Sequence, residues 1–111
     1  MENPKYVIFI GKDKQFYFRL QAANGEPVLA SEGYTSKAGC QNGIQSVKTN
    51  APLDERYSRK TASNGSFYFT LTAPNWEIIG KSEMYTTEEA RDHGIEVVNS
   101  IAPDAPIEDI S

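Results

Sequence analysis

Few side chains in this sequence could do chemistry, and none has partners at a suggestive spacing. His93 is the only histidine and Cys40 the only cysteine in the 111 residues. A metal site or a histidine-based triad needs further ligands or partners, and a cysteine nucleophile needs a base to activate it. The sequence supplies no evident partner for either residue. We therefore expect His93 to be a solvated helix residue and Cys40 a partly exposed spectator thiol, with no catalytic residue, metal ligand or cofactor.

The acidic residues are the next candidates for chemistry. Glu88 and Glu89 fall in the opening turn of a predicted helix, where negative charge complements the helix dipole. Glu32 and Glu83 stand at equivalent places before two predicted helices, which could make a twinned acid site. We favour the other interpretation, that each carboxylate bonds backbone amides left unsatisfied at a helix start. The sequence contains no phosphate-binding glycine loop, dinucleotide fingerprint or Cys-x-x-Cys motif.

The strands and helices that would position these residues belong to a sequence motif that occurs twice in the chain. When the chain is shifted by 51 positions, segments 16–52 and 67–103 share 16 identities in 37 aligned pairs without a gap. Duplication at a fixed offset indicates a repeated structural unit. A unit of about 50 residues buries little surface alone, so two units sharing one core is the easier solution. Residues found in only one copy are the better functional candidates, because shared residues usually serve the fold.

Each copy predicts three strands followed by a helix. Alternation over 15–21 directs Phe16, Phe18 and Leu20 to the core and Tyr17 and Arg19 to the other face. The same pattern over 67–72 buries one set of residues and exposes Tyr68 and Thr70. Two points stay open, namely whether Val28 or Leu29 faces the core, and whether the acidic tail 104–111 is a strand or disordered.

The helix starts and the glycines inside the helices carry further predictions. Thr35 or Ser36 is expected to cap the first helix, and Thr86 the second, with Glu89 completing a capping box. Gly43 and Gly94 recur at equivalent mid-helix positions, although glycine there costs about 1 kcal/mol relative to alanine. We expect them to mark a close approach between each helix and the sheet, where a Cβ atom would clash.

The motifs together resemble a known family over residues 6–103. They are Lys60-Thr61-Ala62-Ser63-Asn64-Gly65 before Phe67-Tyr68-Phe69, the turn Asn24-Gly25-Glu26, Ser-Glu-x-Tyr-Thr before each helix, and Gly-Ile-x-x-Val within it. This combination resembles the YegP-like family in its tandem two-repeat form. The resemblance implies an α+β fold, in which two β-β-β-α repeats, 6–52 and 57–103, form a single antiparallel sheet with both helices on one face and strands exchanged between repeats. Residues 104–111 would be an acidic tail. The resemblance implies no activity, and no functional residue can be carried over.

Charge and composition narrow the function classes. The formal net charge of −4 disfavours nucleic-acid binding, which depends on lysine and arginine contacts to phosphate. The sequence shows no signal peptide and no apolar stretch long enough for a membrane helix, so we expect a cytoplasmic monomer.

The open sheet face is the candidate binding surface, with Tyr17, Arg19, Tyr68 and Thr70 as its residues. Aromatic and arginine side chains often anchor interfaces, although tyrosine and threonine are also common on an ordinary solvated sheet face. The favoured hypothesis is a small non-enzymatic binding or accessory module that uses this face for a protein or peptide. The alternatives are an enzyme or small-molecule-binding protein with a pocket between the repeats, and a weak single-stranded nucleic-acid binder.

Overall fold

The computed structural model describes residues 3–111, which fold into one seven-stranded sheet and two α-helices. The first repeat contains β1 (Lys5–Ile10), β2 (Phe16–Gln21), β3 (Pro27–Ala30) and α1 (Lys37–Asn50). The second contains β4 (Tyr57–Thr61), β5 (Phe67–Thr72), β6 (Ile78–Lys81) and α2 (Glu88–Ile101), and the tail forms β7 (Ile107–Asp109). The predicted β-β-β-α order is therefore present in both copies. No helix of residues 3–111 is long and apolar enough to cross a membrane.

The strand order is β4-β5-β6-β3-β2-β1-β7, so the two repeats meet where β3 pairs with β6. Neighbouring strands are antiparallel except at one edge, where β7 runs parallel to β1. The last strand thus joins the first repeat, as the resemblance implies, but the prediction of a wholly antiparallel sheet is wrong at this edge. The reason lies in the spacing, because Glu108 follows Tyr57 by the same 51 residues that separate Tyr57 from Tyr6. Equivalent strands one repeat apart, such as β1 and β4, run in opposite directions, so strands two repeats apart, such as β1 and β7, run in the same direction.

The core is formed by the alternating residues of the central strands and the inner residues of the helices. Phe18, Leu20, Phe69 and Leu71 are fully buried, as the alternation predicts, and they share one cluster with residues of both helices. Phe16 and Phe67, at the ends of their strands, are only half-buried. In β3, Leu29 faces the core and Val28 is half-buried, which resolves the open register. Burial therefore follows the predicted alternation in β2, whereas β5 also buries Thr70 and Thr72.

The mid-helix glycines mark close contacts, as their recurrence predicted, and the groups that they approach are aromatic rings. A Cβ atom on Gly43 would collide with the Tyr34 hydroxyl and lie 3.1 Å from Cε2 of Phe18. A Cβ atom on Gly94 would collide with the Tyr85 hydroxyl in the same way. Strand pairing puts the two phenylalanines under these helices on the same face of the sheet. Each mid-helix glycine thus approaches a phenylalanine on that face, and the placement of both whole helices on it stays a prediction.

Equivalent residues cap the two helices. The Ser36 Oγ atom accepts a 3.0 Å hydrogen bond from the Gly39 amide, and the Thr87 Oγ1 atom accepts one of 3.0 Å from the Ala90 amide. The prediction of Thr86 as the second cap is therefore wrong by one residue, and no capping box forms with Glu89. Backbone pairing between Phe67 and Tyr85 keeps the chain extended up to this point, so the helix starts later.

Tyrosine hydroxyls tie the repeats together. The Tyr6 hydroxyl donates a 2.8 Å hydrogen bond to the Ala102 carbonyl at the end of α2. The Tyr57 hydroxyl donates one of 2.7 Å to the Ala51 carbonyl at the end of α1. Each first strand thus satisfies a carbonyl at the end of the other repeat's helix, where intrahelical partners are missing.

The hairpin turns place one residue each in the left-handed backbone region. Gly25 and Gly65 have φ angles of +85° and +87°, whereas Lys14 and Trp76 stand at equivalent places in the other copy with φ angles of +64° and +69°. The Asn24 side chain accepts a 3.0 Å hydrogen bond from the Glu26 amide across the first of these glycine turns. Trp76 has 74% of its surface exposed. Glycine adopts this conformation most readily, so Trp76 carries a backbone cost that Gly25 avoids.

Candidate functional site

All four predicted site residues lie on the sheet face opposite Phe18 and Phe69, which we call the open face. Strand pairing brings cross-strand neighbours onto the same side of a sheet. The pairs that build the open face are Phe9 with Tyr17, Arg19 with Ala30, Ala30 with Lys81, Lys81 with Thr70, and Tyr68 with Lys60. The predicted residues therefore share one surface that crosses the junction of the repeats. Their neighbours Phe9, Lys60 and Lys81 were missed, because strand pairing is not visible in the sequence.

In the first repeat the open face carries a stacked aromatic pair with a cation above it. The Phe9 and Tyr17 rings are stacked with their centroids 5.7 Å apart, and the Arg19 guanidinium lies 4.9 Å from the Phe9 centroid. The Tyr17 hydroxyl donates a 2.5 Å hydrogen bond to Asp13. That hydrogen bond raises the pKa of Tyr17 and lowers the pKa of Asp13. These contacts half-bury Tyr17 and Arg19 and fix their orientation.

In the second repeat the same face is more cationic. The Lys81 ammonium lies 5.1 Å from the Tyr68 ring centroid, and Lys60 is the cross-strand neighbour of Tyr68. Thr70 is only 3% exposed, and its Oγ1 atom is buried without a hydrogen-bond partner within residues 3–111. The expectation that Thr70 is an exposed contact residue is therefore wrong. Its cross-strand neighbours are Ser58 in β4 and Lys81 in β6.

A concavity of about 400 Å³ opens on this face at the junction of the repeats. Its lining includes Lys60, Tyr68, Thr70 and Lys81 from the second repeat and Glu32 from the first. Ser82 also lines it, but the Ser82 hydroxyl is engaged, accepting the Phe69 amide and donating to the Glu83 carbonyl. Glu32, Lys60, Tyr68 and Lys81 also bring polar side chains to this lining.

Cys40 does not fit the expectation of a partly exposed thiol. Its side chain is fully buried in the core, and burial raises the pKa of the thiol to about 11. At the offset of 51 residues Cys40 aligns with Arg91, and a charged residue at the equivalent position suggests that Cys40 is peripheral. Arg91 is itself only 7% exposed, because its guanidinium packs 5.6 Å from the Phe67 ring centroid and bonds Asp92. A long arginine side chain can bury its stem and still carry a charge. The alignment of Cys40 with Arg91 therefore does not indicate that Cys40 is exposed.

His93 occupies the predicted solvated position, with 76% of its side chain exposed and Glu96 3.8 Å away. Within residues 3–111 the carboxylates of Glu32 and Glu83 accept no hydrogen bond from a backbone amide, contrary to the favoured expectation for them. Their backbone carbonyls instead accept the hydroxyls of Ser31 and Ser82. Among residues 3–111 no group of three or more His, Cys, Asp or Glu side chains could hold a metal ion.

Comparison with known proteins identifies the family. A family model described as a domain of unknown function, DUF1508, matches twice, over residues 12–58 and 62–109. A UPF0339 protein of Bordetella pertussis is 54% identical over 104 residues, covering 94% of both chains. The UPF0339 protein YegP of Escherichia coli strain K12 is 50% identical over 97 residues, covering 87% of this chain and 88% of that protein.

Two solution NMR structures share the whole fold. The structure of E. coli YegP, titled a protein of unknown function, has a TM-score of 0.92 and 44% identity, covering 99% of this chain and 95% of that one. A UPF0339 protein of Shewanella oneidensis has a TM-score of 0.91 and 44% identity, covering 97% of this chain and 92% of that one. The chain is therefore a member of the DUF1508 (UPF0339) family, and it carries two adjacent copies of the family's domain.

Proposed function

We propose that the protein is a small non-enzymatic binding module that holds an acidic peptide segment of a protein partner on its open face. The observation that carries this proposal is a pair of cation–aromatic contacts, one in each repeat, on the same surface. Arg19 lies over Phe9 and Lys81 lies over Tyr68. Of these four residue types, tyrosine and arginine are enriched where interfaces concentrate their binding energy.

Charge supports an acidic partner. Arg19, Lys60 and Lys81 all belong to the open face, and none of the three has an ion pair within residues 3–111. A carboxylate-bearing peptide would supply the missing counter-charges, and complementary potentials also speed encounter. The net charge of −4 opposes binding to a nucleic-acid backbone. A monomer located in the cytoplasm belongs to the same proposal, and the lone buried Cys40 is compatible with a reducing compartment.

Chemical-shift mapping tests the proposal. Immobilised protein would first capture partners from extract of the source cells, and each captured partner would then be titrated into isotope-labelled protein. We expect shifted resonances at Tyr17, Arg19 and Tyr68, and loss of capture by a Tyr17→Ala/Tyr68→Ala double variant. Lys48→Ala, on α1, is the matched control and should capture normally. Shifts confined to 37–50 and 88–101 would refute the proposal.

A further inference from the structure

The first strands of the two repeats, β1 and β4, are equivalent, yet only β1 is covered on its outer edge. β7 pairs with the side of β1 that faces away from β2. Within residues 3–111 no strand pairs with the outer edge of β4, where the sheet ends. The first repeat therefore shows how a strand docks on an edge that the second repeat leaves open.

The docking of β7 shows which backbone groups form such an edge. The Tyr6 amide donates a 2.8 Å hydrogen bond to the Pro106 carbonyl, and the Ile110 amide donates one of 2.9 Å to the Ile8 carbonyl. Alternate residues of a strand direct their backbone groups to opposite sides. Tyr6 and Ile8 therefore serve β7, and the residues between them serve β2.

The side chains of β7 add charge to this backbone pairing. Glu108 lies 2.7 Å from Lys5, and Asp109 lies 2.8 Å from Lys37. All three residues of β7 are exposed, so no apolar pocket holds the strand. An extended acidic segment is thus the kind of chain that docks on a first strand of this fold.

The same alternation leaves backbone groups open along β4. The Ala62 amide donates a 2.7 Å hydrogen bond across the hairpin to the chain entering β5, so every second residue before Ala62 also serves β5. Tyr57, Arg59 and Thr61 therefore face outward. The Tyr57 amide is already used, because it donates to the Asp54 carbonyl. The open edge offers the Tyr57 carbonyl, both backbone groups of Arg59 and the Thr61 amide.

The residue types of the two edges suit a covered and an open strand. Val7 and Ile8 of β1 are apolar and buried, and an apolar edge left uncovered invites aggregation. Arg59, Lys60 and Thr61 of β4 are exposed, and charged side chains keep an edge from pairing with further copies. β4 can therefore stay open in solution until a strand of opposite charge docks on it.

The charges on β4 select an acidic strand. Arg59 already contacts Asp54 at 3.5 Å and Asp92 at 3.3 Å. Lys60 has no ion pair in the part of the chain that the structure describes. A second copy of β4 would bring like charges together across the new pairing, which is destabilising. An acidic segment instead supplies Lys60 with the counter-charge that Lys5 receives from β7.

We propose that the outer edge of β4 binds an extended acidic segment of a partner protein, which adds as a further parallel strand in the manner of β7. Main-chain hydrogen bonds provide the affinity, and an acidic side chain beside Lys60 provides the specificity. This interaction goes beyond the proposed function, because Tyr17 and Arg19 of the open face take no part in it.

A synthetic peptide with the sequence of residues 105–111, acetylated at its N terminus, tests the edge by titration into isotope-labelled protein. We expect saturable shifts of the Arg59 and Thr61 amides, and slower hydrogen exchange of both in the complex. Arg59→Pro removes an outward N–H group, and it should bind about tenfold more weakly than Arg59→Ala, which keeps that group. Lys60→Met should weaken binding about two- to fivefold, and Lys12→Met, in the turn after β1, should not.

Methylated peptides test the main-chain pairing without altering the protein. In the register of β7, N-methylation at the positions of Glu108 and Ile110 removes the two amides that face β4, and it should abolish binding. The matched control carries its methyl groups at the positions of Ile107 and Asp109, whose amides face solvent, and it should still bind. Equal binding of the two methylated peptides would overturn the proposal.

A spin label at the N terminus of the peptide shows the direction of the added strand. It should broaden the Ser58 amide more than the Ala62 amide, because β7 starts beside Tyr6, near the beginning of β1. The reverse order would overturn the parallel arrangement.

Four further results would also overturn the proposal. They are the absence of saturable binding at millimolar peptide, shifts confined to Tyr6 and Ile8 where the peptide only replaces β7, and equal binding of a peptide with glutamine and asparagine in place of its acidic residues. The last is a shift of the Arg59 and Thr61 amides when the protein alone is concentrated, which would assign the edge to a second copy. Tyr17→Ala should bind the peptide normally, so this interaction is tested separately from the open face.

Discussion

Gly43→Ala should destabilise the protein although alanine is the better helix former. In an exposed helix the substitution would contribute about 1 kcal/mol of stability. Here the new Cβ atom would collide with the Tyr34 hydroxyl, lying 2.8 Å from Cζ of the same ring and 3.1 Å from Cε2 of Phe18. The Tyr34 ring cannot move away freely, because it is stacked on Phe18 at a centroid distance of 6.3 Å.

The magnitude follows from the balance of these two effects. Overpacking a filled core typically costs about 1–3 kcal/mol. After the helix-propensity gain of about 1 kcal/mol is subtracted, we expect a net loss of up to about 2 kcal/mol in the unfolding free energy of Gly43→Ala. Gly43→Leu should lose more, because its side chain is larger. In a Tyr34→Ala background the main obstacle is absent, so the same glycine substitution should become stabilising by up to about 1 kcal/mol.

Urea unfolding followed by far-UV circular dichroism measures all four proteins of this cycle. Gly39→Ala on the same helix is the matched control, because beyond its capping residue the nearest atom to the new Cβ would be 3.5 Å away. It should be neutral or mildly stabilising. If Gly43→Ala and the equivalent Gly94→Ala were both as stable as the parent protein, the aromatic rings would be yielding and the packing argument would fail. The same conclusion would follow if Tyr34→Ala left the effect of Gly43→Ala unchanged.

Three other predictions use buried or paired groups. Cys40, whose pKa burial raises to about 11, should resist a thiol reagent at pH 8 in the folded protein and react at the normal rate in urea. Hydrogen bonding from Lys37 holds the pKa of Asp109 at about 2. The stability that this ion pair gives to the docking of β7 should therefore be fully present above the ordinary aspartate pKa of about 4, and it should be lost as the pH falls through about 2. An NMR titration should show the midpoint returning toward the ordinary value in Lys37→Met. Tyr6→Phe and Tyr57→Phe should each lose about 1 kcal/mol in urea unfolding, because each leaves a buried helix-end carbonyl unpaired.

The elements of the fold could be predicted because they depend on local patterns. Alternation identified the inward positions of Phe18 and Phe69, and the recurrence of Gly43 and Gly94 indicated a close contact. The tyrosine rings at that contact were not foreseen, because they come from the segment before each helix. The parallel direction of β7 also depends on distant pairing, although the 51-residue spacing from Tyr57 to Glu108 could have indicated it.

For the candidate site, the sequence could predict only which face of the sheet carries its residues. Alternation placed Tyr17, Arg19, Tyr68 and Thr70 on the same side, but it could not show what lies beside each residue. Thr70 is buried, and its neighbours Ser58 and Lys81 are known only from the strand pairing. Cys40 shows the same limit, since an aligned arginine says little about exposure when its own side chain is packed on a ring.

The exposed Trp76 has a practical consequence for spectroscopy. It is the only tryptophan, and it already meets water at a hairpin turn of the folded protein. Its emission maximum in the native state should therefore resemble that of the unfolded chain, so intrinsic fluorescence will follow unfolding poorly. The same exposure makes the indole a reporter of anything that covers the turn from outside. A blue shift on mixing with another molecule would then signal contact at this turn rather than a change in the core.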